Sequence, residues 1–228
     1  MNVNKIHVEP KEIITDQYIL SDWCTEISPK KEGNLLQEII LTLKATMRKF
    51  DLVSLTAPQI GYQRRVFCIK FGKNDYRTFI NPMIDNNYNF QFSREKCSSI
   101  PEKTFIYPRF GKVHAFFTTP TDKVETTTLV GRSAIVFQHC IDHLNGVLLS
   151  DIGLEIDEQW DLATDDERAE VLKMYAESLD IKQKKLEKEI NNDEEAKKIN
   201  DASKFINSVK DGKTTLDNSL DENSKDEE

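Results

Sequence analysis

Residues 131–146 read GRSAIVFQHCIDHLNG, and no other stretch restricts the chain's architecture as tightly. Ile135, Val136, Ile141 and Leu144 recur at helical spacing, with a glycine at each end. Gly131 opens the predicted helix, which runs over about 131–145, and Gly146 closes it as a glycine past a helix end commonly does. His139 and His143 stand four residues apart, so both imidazoles lie on one helix face and can reach one metal ion. A fold that uses both must bring further groups to that face.

In the metal-hydrolase pattern H-E-x-x-H, the residue after the first histidine is a glutamate that handles the protons of the attacking water. Here that position is Cys140. The ligand pair is kept and the base is not. Two histidines at this spacing are weak evidence alone, because many helices carry such a pair.

The rest of the chain reads as one sizeable core with a charged extension. At 228 residues it is long enough for one full domain and short for two. An amphipathic helix is predicted over 33–50 from Leu35, Leu36, Ile39, Ile40, Leu43, Met47 and Phe50. Runs rich in β-branched and aromatic residues follow at 64–71, 76–81, 87–93, 111–118 and 122–129, broken by turn residues as expected of antiparallel strands. Thr164-Asp165-Asp166-Glu167 fits a capping box, and Val171, Leu172, Tyr175 and Leu179 give the helix behind it an apolar face. Past Lys182 the sequence is charged on all sides and is expected to project into solvent. The expected domain spans 1–190, and 191–228 is expected to be a disordered tail. Within that tail Ile199, Ala202, Phe205, Ile206 and Val209 form a short stripe, either a solvated helix or a docking segment for a protein partner.

Charge and hydropathy exclude some roles. Of the formal net charge of −8, most belongs to the tail, where eleven acidic residues stand against six lysines from Asn191 onward. The body gives no electrostatic case for nucleic-acid binding. No stretch approaches the roughly 20 apolar residues a bilayer demands. The first residues, MNVNKIHVEP, show no apolar signal core, so a cytoplasmic location is expected. The Lys-, Asn-, Asp- and Ile-rich composition would suit an AT-rich genome, including a viral one, in which case host cytoplasm or virion is the expected place. The four cysteines at 24, 68, 97 and 140 form no CxxC pair and read as reduced thiols. Cys68, inside Arg65-Val66-Phe67-Cys68-Ile69, reads as a small core residue.

Two further segments raise the value of the histidine pair. Ser93-Arg94-Glu95-Lys96-Cys97-Ser98-Ser99-Ile100-Pro101-Glu102 reads as a polar loop in which Cys97 can present a thiolate. With His139 and His143 it would make three ligands and leave one position open, the arrangement of a catalytic zinc-type site. Leu55-Thr56-Ala57-Pro58-Gln59-Ile60-Gly61 supplies Gln59, whose neutral amide can stabilise an oxyanion beside a metal.

Taken in order, VSLTAPQIG (53–61), EKCSSIPE (95–102) and FQHCIDHLNG (137–146) resemble the three motifs of the peptide deformylase family: a glycine-rich motif ending A-P-Q-x-G, then E-G-C-L-S, then Q-H-E-x-D-H-L. Ile80-Asn81-Pro82 and Tyr107-Pro108-Arg109 extend the similarity, which covers roughly residues 5–180. The resemblance implies an α+β fold with antiparallel sheets around a central metal-binding helix, plus a C-terminal helix and acidic tail. It implies Cys97, His139 and His143 as ligands of one divalent metal, iron or zinc, and Gln59 with the backbone N–H of Ser98 as oxyanion donors. Ser54, Leu55 and Arg109 fall at its substrate-binding positions. The implied ligand is a formyl-methionyl peptide, or another peptide N-terminus if the cleft is open.

Departures cluster where substrate and proton transfer belong. Cys140 holds the base position, Lys96 and Ser98 replace a glycine and a leucine around Cys97, and Leu52, Ser54 and Thr56 replace small residues of the first motif. A thiol near a metal can ionise and accept a proton, or close the site as a fourth ligand, but it is shorter than glutamate by two heavy atoms. The expected function is therefore a deformylase-like metal-binding protein that is inactive or strongly impaired. The alternatives are an active deformylase with an unusual base, and a structural or assembly component built on the fold.

Overall fold

The computed structural model describes residues 8–192. They fall into two compact units, the first ending at Leu162 and the second beginning at Ala163. Among the described residues the second contains one helix, Asp165–Asn192, opened by the predicted capping box: Glu167 Oε2 accepts from Thr164 N–H at 2.7 Å while Glu167 N–H donates to Thr164 Oγ1 at 3.3 Å. The expectations for the tail from 193 onward, including the Ile199–Val209 stripe, lie outside the described residues.

The first unit is α+β. Its helices are α1 (Gln17–Leu20), α2 (Gly33–Lys49), α3 (Arg132–Leu144), α4 (Leu149–Ile152) and α5 (Gln159–Leu162). Its strands are β1 (Ser54–Thr56), β2 (Val66–Lys70), β3 (Tyr76–Cys97), β4 (Ile100–Thr118), β5 (Val124–Val130) and β6 (Leu154–Ile156). All pair antiparallel in the order β1-β2-β3-β4-β5, with β6 against the far end of β4. No helix among the described residues is long and apolar enough to cross a membrane.

Alternation along β2 divides the core. Phe67 and Ile69 face α3, packing with Phe79, Phe137 and Leu144, whereas Val66 and Cys68 face α2 and its Leu36, Ile39, Leu43 and Met47. Cys68 is thus the core residue the sequence implies.

Two expectations need correction. The runs at 76–81 and 87–93 are parts of one 22-residue strand, and its partner begins at Ile100 rather than 111. Register shifts at Ile80/Met83, Ile84/Asn86 and Glu95/Cys97 absorb the polar and proline interruptions that look like strand ends. At the first shift Asn81 adopts φ +46°, a conformation asparagine tolerates, and its side chain bonds both Ile27 N–H (3.0 Å) and Ile27 C=O (2.9 Å). Second, Cys97 is not in a polar loop. It is the last residue of β3, paired with Ile100 across a two-residue turn, and it is buried.

Candidate metal centre

Helix α3 is fixed at both ends and in the middle. Past its end, Gly146 N–H donates to His143 C=O (3.2 Å) and Val147 N–H to Asp142 C=O (2.9 Å), the Schellman pattern, with Gly146 at φ +69°. A side chain at Gly146 would run into Ser21 C=O. Arg65 donates to Leu144 C=O (3.3 Å) and Asn145 Oδ1 (2.8 Å), placing a cation at the helix C-terminus. In mid-helix the Gln138 amide takes both backbone groups of Phe110 in β4, at 3.0 and 2.8 Å. These contacts hold the histidine face against the β3–β4 hairpin that carries Cys97.

The hairpin and helix bring Cys97, His139 and His143 together, with ligand atoms all within 4.8 Å of one another. Cys97 Sγ lies 3.2 Å from His143 Nε2. His143 Nδ1 is buried with no hydrogen-bond partner among the described residues. A thiol and two imidazoles with their ligand atoms this close suit a tetrahedral N/S-binding ion with one open position. Burial opposes ionisation of the Cys97 thiol, but hydrogen bonds and charge from His139 and His143 bring it down to about 5. Against a like penalty, hydrogen bonds to Cys97 and Glu95 lift His139 to about 9. The trio already favours the thiolate that a metal ligand must be.

Behind the trio lies a buried ionic chain that the sequence reading missed. Glu95 Oε2 pairs with His139 Nδ1 at 2.9 Å, leaving Nε2 of that ring for a metal. Glu95 accepts two bonds from Arg109, from Nε at 2.7 Å and from a terminal nitrogen at 3.1 Å, and the other terminal nitrogen reaches Asp142 at 2.6 Å. Glu95 lies two residues before Cys97 in a strand, so period-two alternation puts both on one face. Arg109, expected at a substrate position, is only 3 % exposed and lies outside the cavity lining: it holds the support of His139 in place.

Through Cys97 and His139 the trio meets a cavity of about 720 Å³, lined also by Ser54, Gln59, Ser98 and others. Leu52, Ile100, Ile135 and Val136 give it an apolar wall. Arg132, Ile135, Val136 and His139 follow one helix face, so periodicity alone could have named the first three. Ser54 is on the cavity as expected, but Leu55 points the other way and is buried beneath α2. Gln59 is buried, with its amide nitrogen toward Ser98 and Ser99 and 4.0 Å from Cys97 Sγ.

Cys140 does not join this group. One residue on from His139 it turns about 100° around the helix, into the core with Phe67, Ala134, Phe137 and Leu144. Burial pushes its thiol up to about 12, a hydrogen bond with Ser54 opposing. It lines no part of the cavity and falls outside the metal-donor cluster among the described residues.

The family model described as polypeptide deformylase matches residues 10–157. Peptide deformylase of Thermotoga petrophila is 33 % identical over 117 residues, 51 % of this chain and 71 % of that one. The crystal structure of the Thermotoga maritima peptide deformylase superposes with a TM-score of 0.57 at 30 % identity, covering 64 % of this chain and 97 % of that one. A Met-Ala-Ser-bound class I type b peptide deformylase from Acinetobacter baumannii, at 24 % identity and TM-score 0.57, covers 64 % of this chain and 98 % of its own and shares the fold. The family model spans more than half of the sequence, over the sheet, the histidine helix and the Cys–His–His cluster described above, and this chain belongs to the polypeptide deformylase family.

Proposed function

We propose that the protein is a deformylase-like metal-binding protein that accepts a peptide N-terminus but removes a formyl group from it slowly or not at all. One observation carries this reading: the three-ligand cluster meets an open cavity through Cys97 and His139, while residue 140 is a cysteine packed into the core. Cys97, His139 and His143 would hold one divalent ion, iron or zinc, which when bound supplies Lewis acidity toward a carbonyl and toward water.

The chain's own residues divide the remaining work. Glu95, clamped by Arg109, fixes the His139 tautomer so that Nε2 faces the donor cluster. The wall of Leu52, Ile100, Ile135 and Val136 receives an apolar first side chain of the methionyl type. Ser54 and the Cys97–Ser98 segment border the peptide beyond it. Gln59, acting through the Ser98 hydroxyl it contacts, and the Ser98 N–H would steady negative charge on a carbonyl oxygen. What is lacking is a proton acceptor. Glu95 is committed to Arg109 and His139, and the Cys140 thiol is packed within the core, off the cavity lining. Loss of general-base assistance is worth about 10²–10⁴-fold in rate.

The test is elemental analysis of full-length protein purified without chelators, with turnover of formyl-Met-Ala-Ser measured on the same sample. One divalent ion per chain with turnover near background is expected. Absence of metal, or rapid turnover that survives Cys140→Ala, would sink the reading in its first or second half respectively.

A further inference from the structure

The orientation of the Gln59 carboxamide follows from its neighbours. Thr56 N–H can only donate and meets Gln59 at 3.0 Å, so the atom facing it is Oε1. The Thr56 hydroxyl donates to the same oxygen at 3.0 Å. The amide nitrogen must then point the other way, where it lies 3.1 Å from Ser98 Oγ and 3.0 Å from Ser99 Oγ. An amide nitrogen has two hydrogens and accepts nothing, so both serine oxygens are acceptors. Each hydroxyl keeps its own proton, directed away from Gln59. Ser99 is buried and off the cavity. Ser98 lines the cavity, and among the described residues its hydroxyl makes no bond besides the one from Gln59.

We propose that the Ser98 hydroxyl is a specificity-determining donor, held by Gln59, that recognises the carbonyl oxygen of an acylated peptide N-terminus in this cavity. This rests on the reading of the cavity given under Proposed function. Both hydrogens of the Gln59 amide are engaged in the protein as it stands, so Gln59 acts on the ligand through Ser98. The accepted bond also polarises the hydroxyl and strengthens its donation. Ser98 directly follows Cys97, which puts this donor beside the metal ligands and not at the outer rim of the cavity. Two departures from the family motifs, Thr56 and Ser98, thus act on one amide: Thr56 pins its oxygen and Ser98 receives its nitrogen.

The experiment compares formyl-Met-Ala-Ser with Met-Ala-Ser, binding to zinc-loaded full-length protein by calorimetry, for the wild type, Ser98→Ala and Ser98→Thr. A neutral hydrogen bond of ordinary strength corresponds to roughly 5–10-fold in affinity. Ser98→Ala should weaken the formylated peptide by about that factor and the free peptide by less than about twofold, and Ser98→Thr should bind as wild type does. Equal weakening of both peptides, or no change in either, overturns the proposal and leaves the peptide site standing. If the wild type binds neither peptide, the reading under Proposed function falls and this inference falls with it.

Discussion

Replacing Arg109 by methionine removes the guanidinium that joins Glu95 to Asp142 beneath the metal ligands. The structure sets the magnitude. Arg109 and Glu95 have side chains only 3 % and 6 % exposed, and their two hydrogen bonds measure 2.7 and 3.1 Å. Breaking a buried pair by removing one partner costs about 3–5 kcal/mol, because a charge is left without compensation. Glu95 keeps its contact with His139 at 2.9 Å, which places the expected loss near the lower figure, about 3 kcal/mol. That is a large part of the 5–15 kcal/mol typical of a folded protein. Urea denaturation of the full chain at pH 7, followed by tryptophan fluorescence, measures it. The double variant Arg109→Met/Glu95→Gln should lose less than the sum of its single changes by about 1–3 kcal/mol, since neither charge is then stranded. A loss below about 1 kcal/mol for Arg109→Met would mean that the pair behaves as an exposed one, and the account of a buried support would be wrong.

The same chain bears on metal affinity: Glu95→Gln should weaken metal binding about 10–100-fold, as outer partners of ligating histidines commonly do, and competition with a chromophoric chelator would expose an unchanged affinity. Gly146→Ala should destabilise the fold by at least about 2 kcal/mol, because it combines left-handed backbone with a side chain and a contact on Ser21 C=O that cannot be met without movement. A thermal midpoint within about a degree of wild type would contradict this cap.

The ligand trio was legible in the sequence because its chemistry is local. His139 and His143 declare themselves by helical spacing, and Cys97 by the motif around it. Helices α2 and α3 were legible for the same reason, their apolar periods being long. The long hairpin was not. Asn81-Pro82 and Asn86-Asn87 look like strand ends, yet the ladder resumes after each shift because the partner strand runs through. Short elements such as β1 and β6 exist only through tertiary pairing. Side-chain direction was the other loss. Arg109 was placed by its position in the chain near a substrate, whereas two carboxylates more than ten residues away in sequence draw it inward. Position 140 was read from its motif, and only the packing of Phe67 and Phe137 around it reveals a core residue.

The most direct test of the central claim, a metal site without its base, is the rate of formyl-Met-Ala-Ser hydrolysis by Cys140→Glu relative to the natural chain. Both proteins are loaded with the same metal, with metal content and thermal midpoint recorded on each sample. Position 140 touches Ser54, which lines the cavity, so a side chain two heavy atoms longer extends past Ser54 toward the ligands, and the account predicts a gain of at least about 10²-fold on restoring the glutamate. A variant that stays folded, keeps its metal and turns over no faster than the natural chain would contradict it.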